Sequence, residues 1–119
     1  MIVTTINVNG IRAAVKERSE ENLGLLPWLA ETKSDVICLQ ETRADDTQLA
    51  QALAPALDAG WHLASAEPSA KGRNGVAVLS RAPITAVRVG LTPDCEFVAH
   101  GRYLEADTDG ATVASVYVP

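Results

Sequence analysis

Seven consecutive residues, Asp35-Val36-Ile37-Cys38-Leu39-Gln40-Glu41, restrict the fold more than any other segment. Their apolar centre shows no polar alternation, so they read as a strand buried on both faces. An earlier strand, residues 2–9, runs out in the same way into Asn7 and Asn9, just before Gly10. Between the two, residues 20–32 carry Leu23, Leu26, Leu29 and Ala30 at roughly helical spacing. Strand, helix, strand in this order is a βαβ unit with parallel strands. Parallel strands end on one edge of their sheet, where open α/β sheets bind ligands. Asn7, Asn9 and Glu41 are therefore expected at that edge. Asn7 and Asn9 are two apart and are expected to share a face.

A carboxylate next to a dry core is costly unless something compensates it. Two amides and one carboxylate suit a hard divalent cation. Each residue also has a bland reading. Glu41 could cap a helix or lie on the surface, though the buried strand before it argues otherwise. Asn9-Gly10 and Asn74-Gly75 could be turn pairs, and Arg12, Lys16 and Arg18 a solvated helix face.

The chain has 119 residues, one domain at most. Hydrophobic residues make up 47% and aromatics only 4%, so the core is built from Ala, Val, Leu and Ile. Net charge is −5, which alone argues against nonspecific nucleic-acid binding. The bases cluster, however: Arg12, Lys16 and Arg18 follow the first strand, and Lys71 and Arg73 lie in a glycine-containing loop. Cys38 and Cys95 do not have metal-ligand spacing, and Cys38 reads as a small buried hydrophobe. Met1 leads straight into a strand, and no apolar run is long enough to span a bilayer. These features point to a reduced, cytoplasmic setting with no membrane partner.

Further along, Asp45 or Asp46 is expected to cap a helix through Leu49, Ala52, Leu53 and Ala56. Strands are expected over 61–66, 75–80 and 84–89, with a polar loop at 69–74 and a turn at Ala82-Pro83. Residues 94–100 are ambiguous; Asp94, Cys95, Glu96 and His100 hold ligand-type atoms at no recognisable spacing and read as structural. Residues 101–108 and 111–118 read as a hairpin around Asp109-Gly110.

Five segments, in order, resemble the exodeoxyribonuclease III family of apurinic/apyrimidinic endonucleases, within the endonuclease/exonuclease/phosphatase superfamily. They are Asn7-Val8-Asn9-Gly10-Ile11-Arg12-Ala13, Cys38-Leu39-Gln40-Glu41-Thr42-Arg43, the run from Lys71-Gly72-Arg73-Asn74-Gly75 to Ser80, Gly101-Arg102-Tyr103, and Val116-Tyr117-Val118-Pro119. The resemblance covers essentially the whole chain and implies that residues 1–119 are the N-terminal half of one domain. The implied fold is α/β (α+β), half of a four-layer α/β/β/α sandwich. Its sheet is mixed, with a βαβ start and antiparallel strands later, and each half supplies one sheet with its helices.

The resemblance further implies hydrolysis of DNA phosphodiesters at abasic sites or 3′ ends, with Mg²⁺ or Mn²⁺ as cofactor and double-stranded DNA as partner. By position, Glu41 is similar to the family's main metal carboxylate. Asn7 matches a residue that orients the active-site network, and Asn9 a neighbour of the metal. Tyr117 matches the tyrosine that approaches the target phosphate. Arg12, Lys71, Gly72, Arg73, Asn74 and Arg102 match contacts to DNA. Family members commonly have Lys at Arg43, and often Tyr at Arg73 and Glu at His100. The Asp, Asn and Asp-His motifs of the family's second half have no counterpart in these residues, so little or no activity is expected from the chain alone. Full-length members are expected to be monomers, and a half-domain could self-associate or pair with another chain. A superfamily phosphatase or phosphodiesterase with a non-DNA substrate is the alternative.

Overall fold

A computed structural model describes residues 1–68, 70–90 and 100–119. Strands β1 (Val3–Asn7), β2 (Val36–Gln40), β3 (His62–Ala66) and β4 (Val76–Ser80) form one sheet, in the order β1-β2-β4-β3. β1 and β2 are parallel, with Asn7 opposite Gln40, and the remaining pairs are antiparallel. Strands β5 (Ile84–Val89), β6 (Tyr103–Thr108) and β7 (Ala111–Val116) form a second, antiparallel sheet. The expected α/β class, βαβ start and later antiparallel strands are all present.

One implication of the resemblance is modified. A half was expected to supply one sheet, yet this chain contributes strands to two. The break falls after Ser80, at Arg81-Ala82-Pro83. Pro83 has no N–H to donate, so the ladder cannot continue through it, and the chain starts a new sheet at Ile84.

Every residue of β2 and β4 is buried, because both faces of the first sheet are covered. Ile37, Leu39, Ala77 and Leu79 face the helices, against Ile11, Leu29, Leu49 and Leu53. Val36, Cys38, Val76 and Val78 face the second sheet, against Leu104 and Ala106. The period-2 alternation of each strand thus feeds two separate cores.

The helices are α1 (Ile11–Ala14), α2 (Leu25–Glu31), α3 (Asp46–Ala52) and α4 (Ala54–Asp58). The helix expected over 20–32 begins only at Leu25. Gly24 has φ 88°, and a Cβ there would come within 2.7 Å of the Lys16 carbonyl, so the chain folds back tightly before the helix starts. The helix expected from Asp45 breaks at Leu53, and Pro55 occupies the first turn of α4, where a missing donor costs nothing. Asp45 does cap α3: its carboxylate accepts from Gln48 N (2.7 Å), and the Gln48 side chain accepts from Asp45 N (3.1 Å). The Asp109-Gly110 turn has φ of 50° and 76°, the positive pair that a two-residue hairpin of this twist requires. Ser69 and residues 94–99, including Cys95, lie outside the described residues.

Candidate active site at the strand ends

Glu41 is the first residue beyond β2, and its φ of 53° turns it out of the strand direction. Its carbonyl accepts from Gly10 N (2.8 Å), and the Gln40 carbonyl from Val8 N (3.0 Å), so the segment after β1 runs alongside it. Asn7 Nδ2 donates to Glu41 Oε1 at 3.1 Å. The Asn7 Oδ1 accepts from the Asn9 N–H at 3.0 Å. This second bond sets the amide orientation: a flipped amide would put oxygen against carboxylate and NH₂ against N–H. Asn7 therefore presents a donor to Glu41.

The expected meeting of Asn7 and Glu41 is observed, but the shared face of Asn7 and Asn9 is not. β1 ends at Asn7, and Asn9 has φ 48° in the turn that follows, so strand alternation no longer governs it. Asn9 lines a cleft of about 220 Å³ with Ala13, Lys16, Arg18 and Asn22. It reaches the network through its backbone N–H.

On the other side of the carboxylate, Arg43 Nη2 lies 3.0 Å from Glu41 Oε2. Nothing in the sequence signals this pairing beyond the two-residue spacing. The Tyr117 hydroxyl also interacts with Glu41. The hydrogen bond from Asn7 lowers the Glu41 pKa most, followed by that from Tyr117. Both outweigh the opposing effect of burial, and Arg43 lowers it further. The same contact with the carboxylate raises the Tyr117 phenol.

A run of backbone bonds carries Tyr117 to this point from 76 residues away in sequence. Thr42 N donates to Gly75 O (3.1 Å), Gly75 N to Gly101 O (2.9 Å), and Tyr117 N to Arg102 O (2.8 Å). Gly75 is required here. Its φ is +95°, and a Cβ would stand 2.1 Å from Thr42 Oγ1.

Of the basic residues, Arg12 and Arg102 adjoin this centre, through Arg43 and Tyr117 respectively. Arg102 is half-buried, and its Nε is the one buried side-chain N or O atom without a hydrogen-bond partner among the described residues. Arg12, exposed on α1, donates from Nη2 to the Arg43 carbonyl at 3.0 Å. Lys71, Gly72 and Arg73 are exposed in the loop before β4. Asn74 serves that loop's own structure: Nδ2 donates to His100 O (3.0 Å), and its carbonyl accepts from Arg43 N (2.8 Å).

No cluster of three or more His, Cys, Asp or Glu residues that could hold a metal exists among the described residues. A closed zinc-type cage is therefore not formed by them. One carboxylate with oriented amide and phenol neighbours fits a different ion. Mg²⁺ keeps several waters and uses one or two carboxylates plus substrate phosphate. Glu41 can supply that carboxylate, with Asn7 and Tyr117 holding it in place.

Residues 4–113 match the endonuclease/exonuclease/phosphatase family. The chain belongs to that family. It is 32% identical over 113 residues to an exodeoxyribonuclease of Bacillus subtilis, covering 95% of this chain and 40% of the relative. The chain thus spans well under half the length of the relatives it matches. An AP endonuclease structure from Archaeoglobus fulgidus superposes with TM-score 0.79 at 33% identity, covering 100% of this chain and 42% of that one. The 3′ phosphatase NExo from Neisseria, solved bound to a product DNA hairpin, gives TM-score 0.71 at 31% identity, with 97% and 40% covered. Among the described residues, no helix is long and apolar enough to cross a membrane.

Proposed function

We propose that this chain carries the N-terminal part of the active site of a divalent-metal-dependent DNA repair nuclease. The reaction is hydrolysis of phosphodiesters at abasic sites or at 3′ ends. The observation that carries the reading is the Glu41 carboxylate, held at the sheet edge by Asn7 and Tyr117 with its pKa lowered. The named relatives, an exodeoxyribonuclease and an AP endonuclease, support the same class.

In this reading Glu41 holds Mg²⁺ or Mn²⁺, with Asn9 close by. The bound ion supplies Lewis-acid polarisation of the phosphoryl oxygen and a template for substrate. Asn7 fixes the carboxylate's orientation. When substrate binds, the Tyr117 hydroxyl turns its one hydrogen from Glu41 to the target phosphate, since a phenol with a raised pKa is a donor and not a base at neutral pH. Arg102 takes a phosphate oxygen, because its Nε lacks an acceptor among the described residues and buried donors are rarely left unpaired. Arg12 and the loop of Lys71, Gly72, Arg73 and Asn74 contact the backbone on either side, each charged contact adding to the salt dependence of binding.

None of these residues is suited to activate water, so the 119 residues alone are expected to bind substrate and cleave it slowly or not at all. The test is a duplex containing a tetrahydrofuran abasic analogue, with and without Mg²⁺. Mg²⁺-dependent binding that Glu41→Gln abolishes supports the reading. Binding indifferent to both Mg²⁺ and Glu41 overturns it. Robust cleavage by the chain would overturn the argument about water activation.

A further inference from the structure

Glu41 and Tyr117 sit beside strands of different sheets, and no ladder joins those strands. β2 pairs with β1 and β4, and β7 pairs with β6. Contact between two apolar sheet faces is non-directional. It cannot alone fix where a hydroxyl stands beside a carboxylate, because such an interaction depends on direction. Directional ties must do so. One is the backbone run through Gly75, Gly101 and Arg102 described above.

The second tie is made of side chains and is buried. Gln40 Nε2 shares its hydrogens among Thr5 Oγ1 (2.9 Å), Ser115 Oγ (3.2 Å) and the Cys38 carbonyl (3.2 Å). The Ser115 hydroxyl donates in turn to the Leu39 carbonyl at 2.8 Å. Ser115 is fully buried and Gln40 nearly so. Gln40 immediately precedes Glu41, and Ser115 precedes Tyr117 by two residues. The network thus links β1, β2 and β7 one step inside the Glu41–Tyr117 pair. An aliphatic residue at position 40 would suit the surrounding core of Cys38, Val76 and Val78 at lower desolvation cost. Buried polar groups of this kind select one arrangement of packed elements over others.

We infer that Gln40 is a positioning residue, which through Ser115 sets where the Tyr117 hydroxyl stands relative to Glu41. The inference rests on reading Glu41 and Tyr117 as active-site groups, but its test needs neither DNA nor metal, so the two can fail separately.

The chain contains two tyrosines. Biosynthetic 3-fluorotyrosine therefore gives two ¹⁹F resonances, and Tyr103→Phe assigns them. Glu41→Gln marks the Tyr117 resonance without the carboxylate. The probe variant is Gln40→Leu with Ser115→Ala. Removing both partners leaves neither amide nor hydroxyl stranded, and Thr5 lies at the exposed edge, where water can serve it. The expected result is a folded protein whose Tyr117 resonance moves most of the way to the Glu41→Gln position while Tyr103 stays in place. A folded double variant with the Tyr117 resonance unmoved overturns the inference. If the double variant does not fold, Ser115→Ala alone, which leaves the other Gln40 bonds, is read by the same two outcomes.

Discussion

The Arg43 guanidinium lies 3.0 Å from Glu41 Oε2, on the oxygen that the Asn7 amide leaves open. A divalent cation binding Glu41 must therefore share the carboxylate with an arginine or displace it. The geometry favours displacement. The Arg43 side chain is 46% exposed, and ion pairs this open to water are weak. A cation also binds better once a neighbouring positive charge is gone. Arg43→Gln should consequently tighten Mn²⁺ binding roughly two- to fivefold, the range an exposed ion pair commands. Titration calorimetry at low ionic strength measures it. Weaker Mn²⁺ binding in the variant would make Arg43 a support of the cation site and not its competitor.

Cation binding should also resist acid. Glu41 is more acidic than an ordinary carboxyl, chiefly through the Asn7 hydrogen bond. A lowered pKa keeps the ligand ionised as pH falls into the ordinary range near about 4. In Asn7→Leu the main cause is removed, so the acid limb of Mn²⁺ binding should move to higher pH. Relaxation enhancement of water protons by Mn²⁺, followed from pH 7 downward, reports the midpoint. An unchanged midpoint would mean that Asn7 does not act on the carboxylate's ionisation.

Much of this site could be read from sequence because local rules govern it. An unbroken apolar run makes β2 a central strand, and the intervening helix makes β1 parallel to it. From there the meeting of Asn7 and Glu41 follows without coordinates. Asp109-Gly110 fixes the last hairpin equally well. What escaped depends on contacts distant in sequence or on segments too short to have a period. The four residues of α1 carry no helical repeat. Strand alternation places Asn9 on the face of Asn7, but Asn9 lies two residues past the end of β1. The bond from Gln40 to Ser115 spans 75 positions and crosses between sheets. In sequence Gln40 is only the polar end of a strand, and its burial depends on β7 lying over it.

On the outer face of the second sheet, Arg88 makes a forked contact with Asp107 (2.7 and 3.0 Å) and a bond to Glu105 (2.8 Å). Tyr103 and Thr112 donate to the same two carboxylates. The Arg88 hydrogen bond is the main cause that brings Asp107 down to about 2, and the Tyr103 hydroxyl the main cause that lowers Glu105. Carboxyls with depressed folded-state pKa values contribute stability that is present above their unfolded values. That stability is lost as pH falls through the folded ones. The window here runs from about pH 4 down to about 2. The groups are partly exposed, so the effect is modest and screened by salt. The melting-temperature gap between wild type and Arg88→Met should be open at pH 6 and shrink between pH 4 and 2. It should also narrow in 1 M salt, where the Debye length is about 3 Å. A gap constant across this pH range would show that the network contributes by packing alone.

Gly75 allows the sharpest test of how the site is assembled. It joins the segment after β2 to Gly101, and its φ of +95° is one that L side chains rarely adopt. A Cβ there would also meet Thr42 Oγ1 at 2.1 Å, and Thr42 is buried, with a branched side chain that has little room to turn away. Gly75→Ala therefore combines backbone strain of about 1–3 kcal/mol with overpacking of about 1–3 kcal/mol. Gly110→Ala is the matched control. It too has positive φ, +76°, but nothing lies within 4 Å of its Cβ, so it carries the strain alone. Urea unfolding should show Gly75→Ala as the more destabilised of the two by roughly the overpacking term. Because Thr42 adjoins Glu41, the surviving folded fraction should also bind Mn²⁺ more weakly, whereas Gly110→Ala should bind it as wild type does. Equal destabilisation of the two variants would mean that Thr42 yields freely and that the close approach at Gly75 does not fix the position of Glu41.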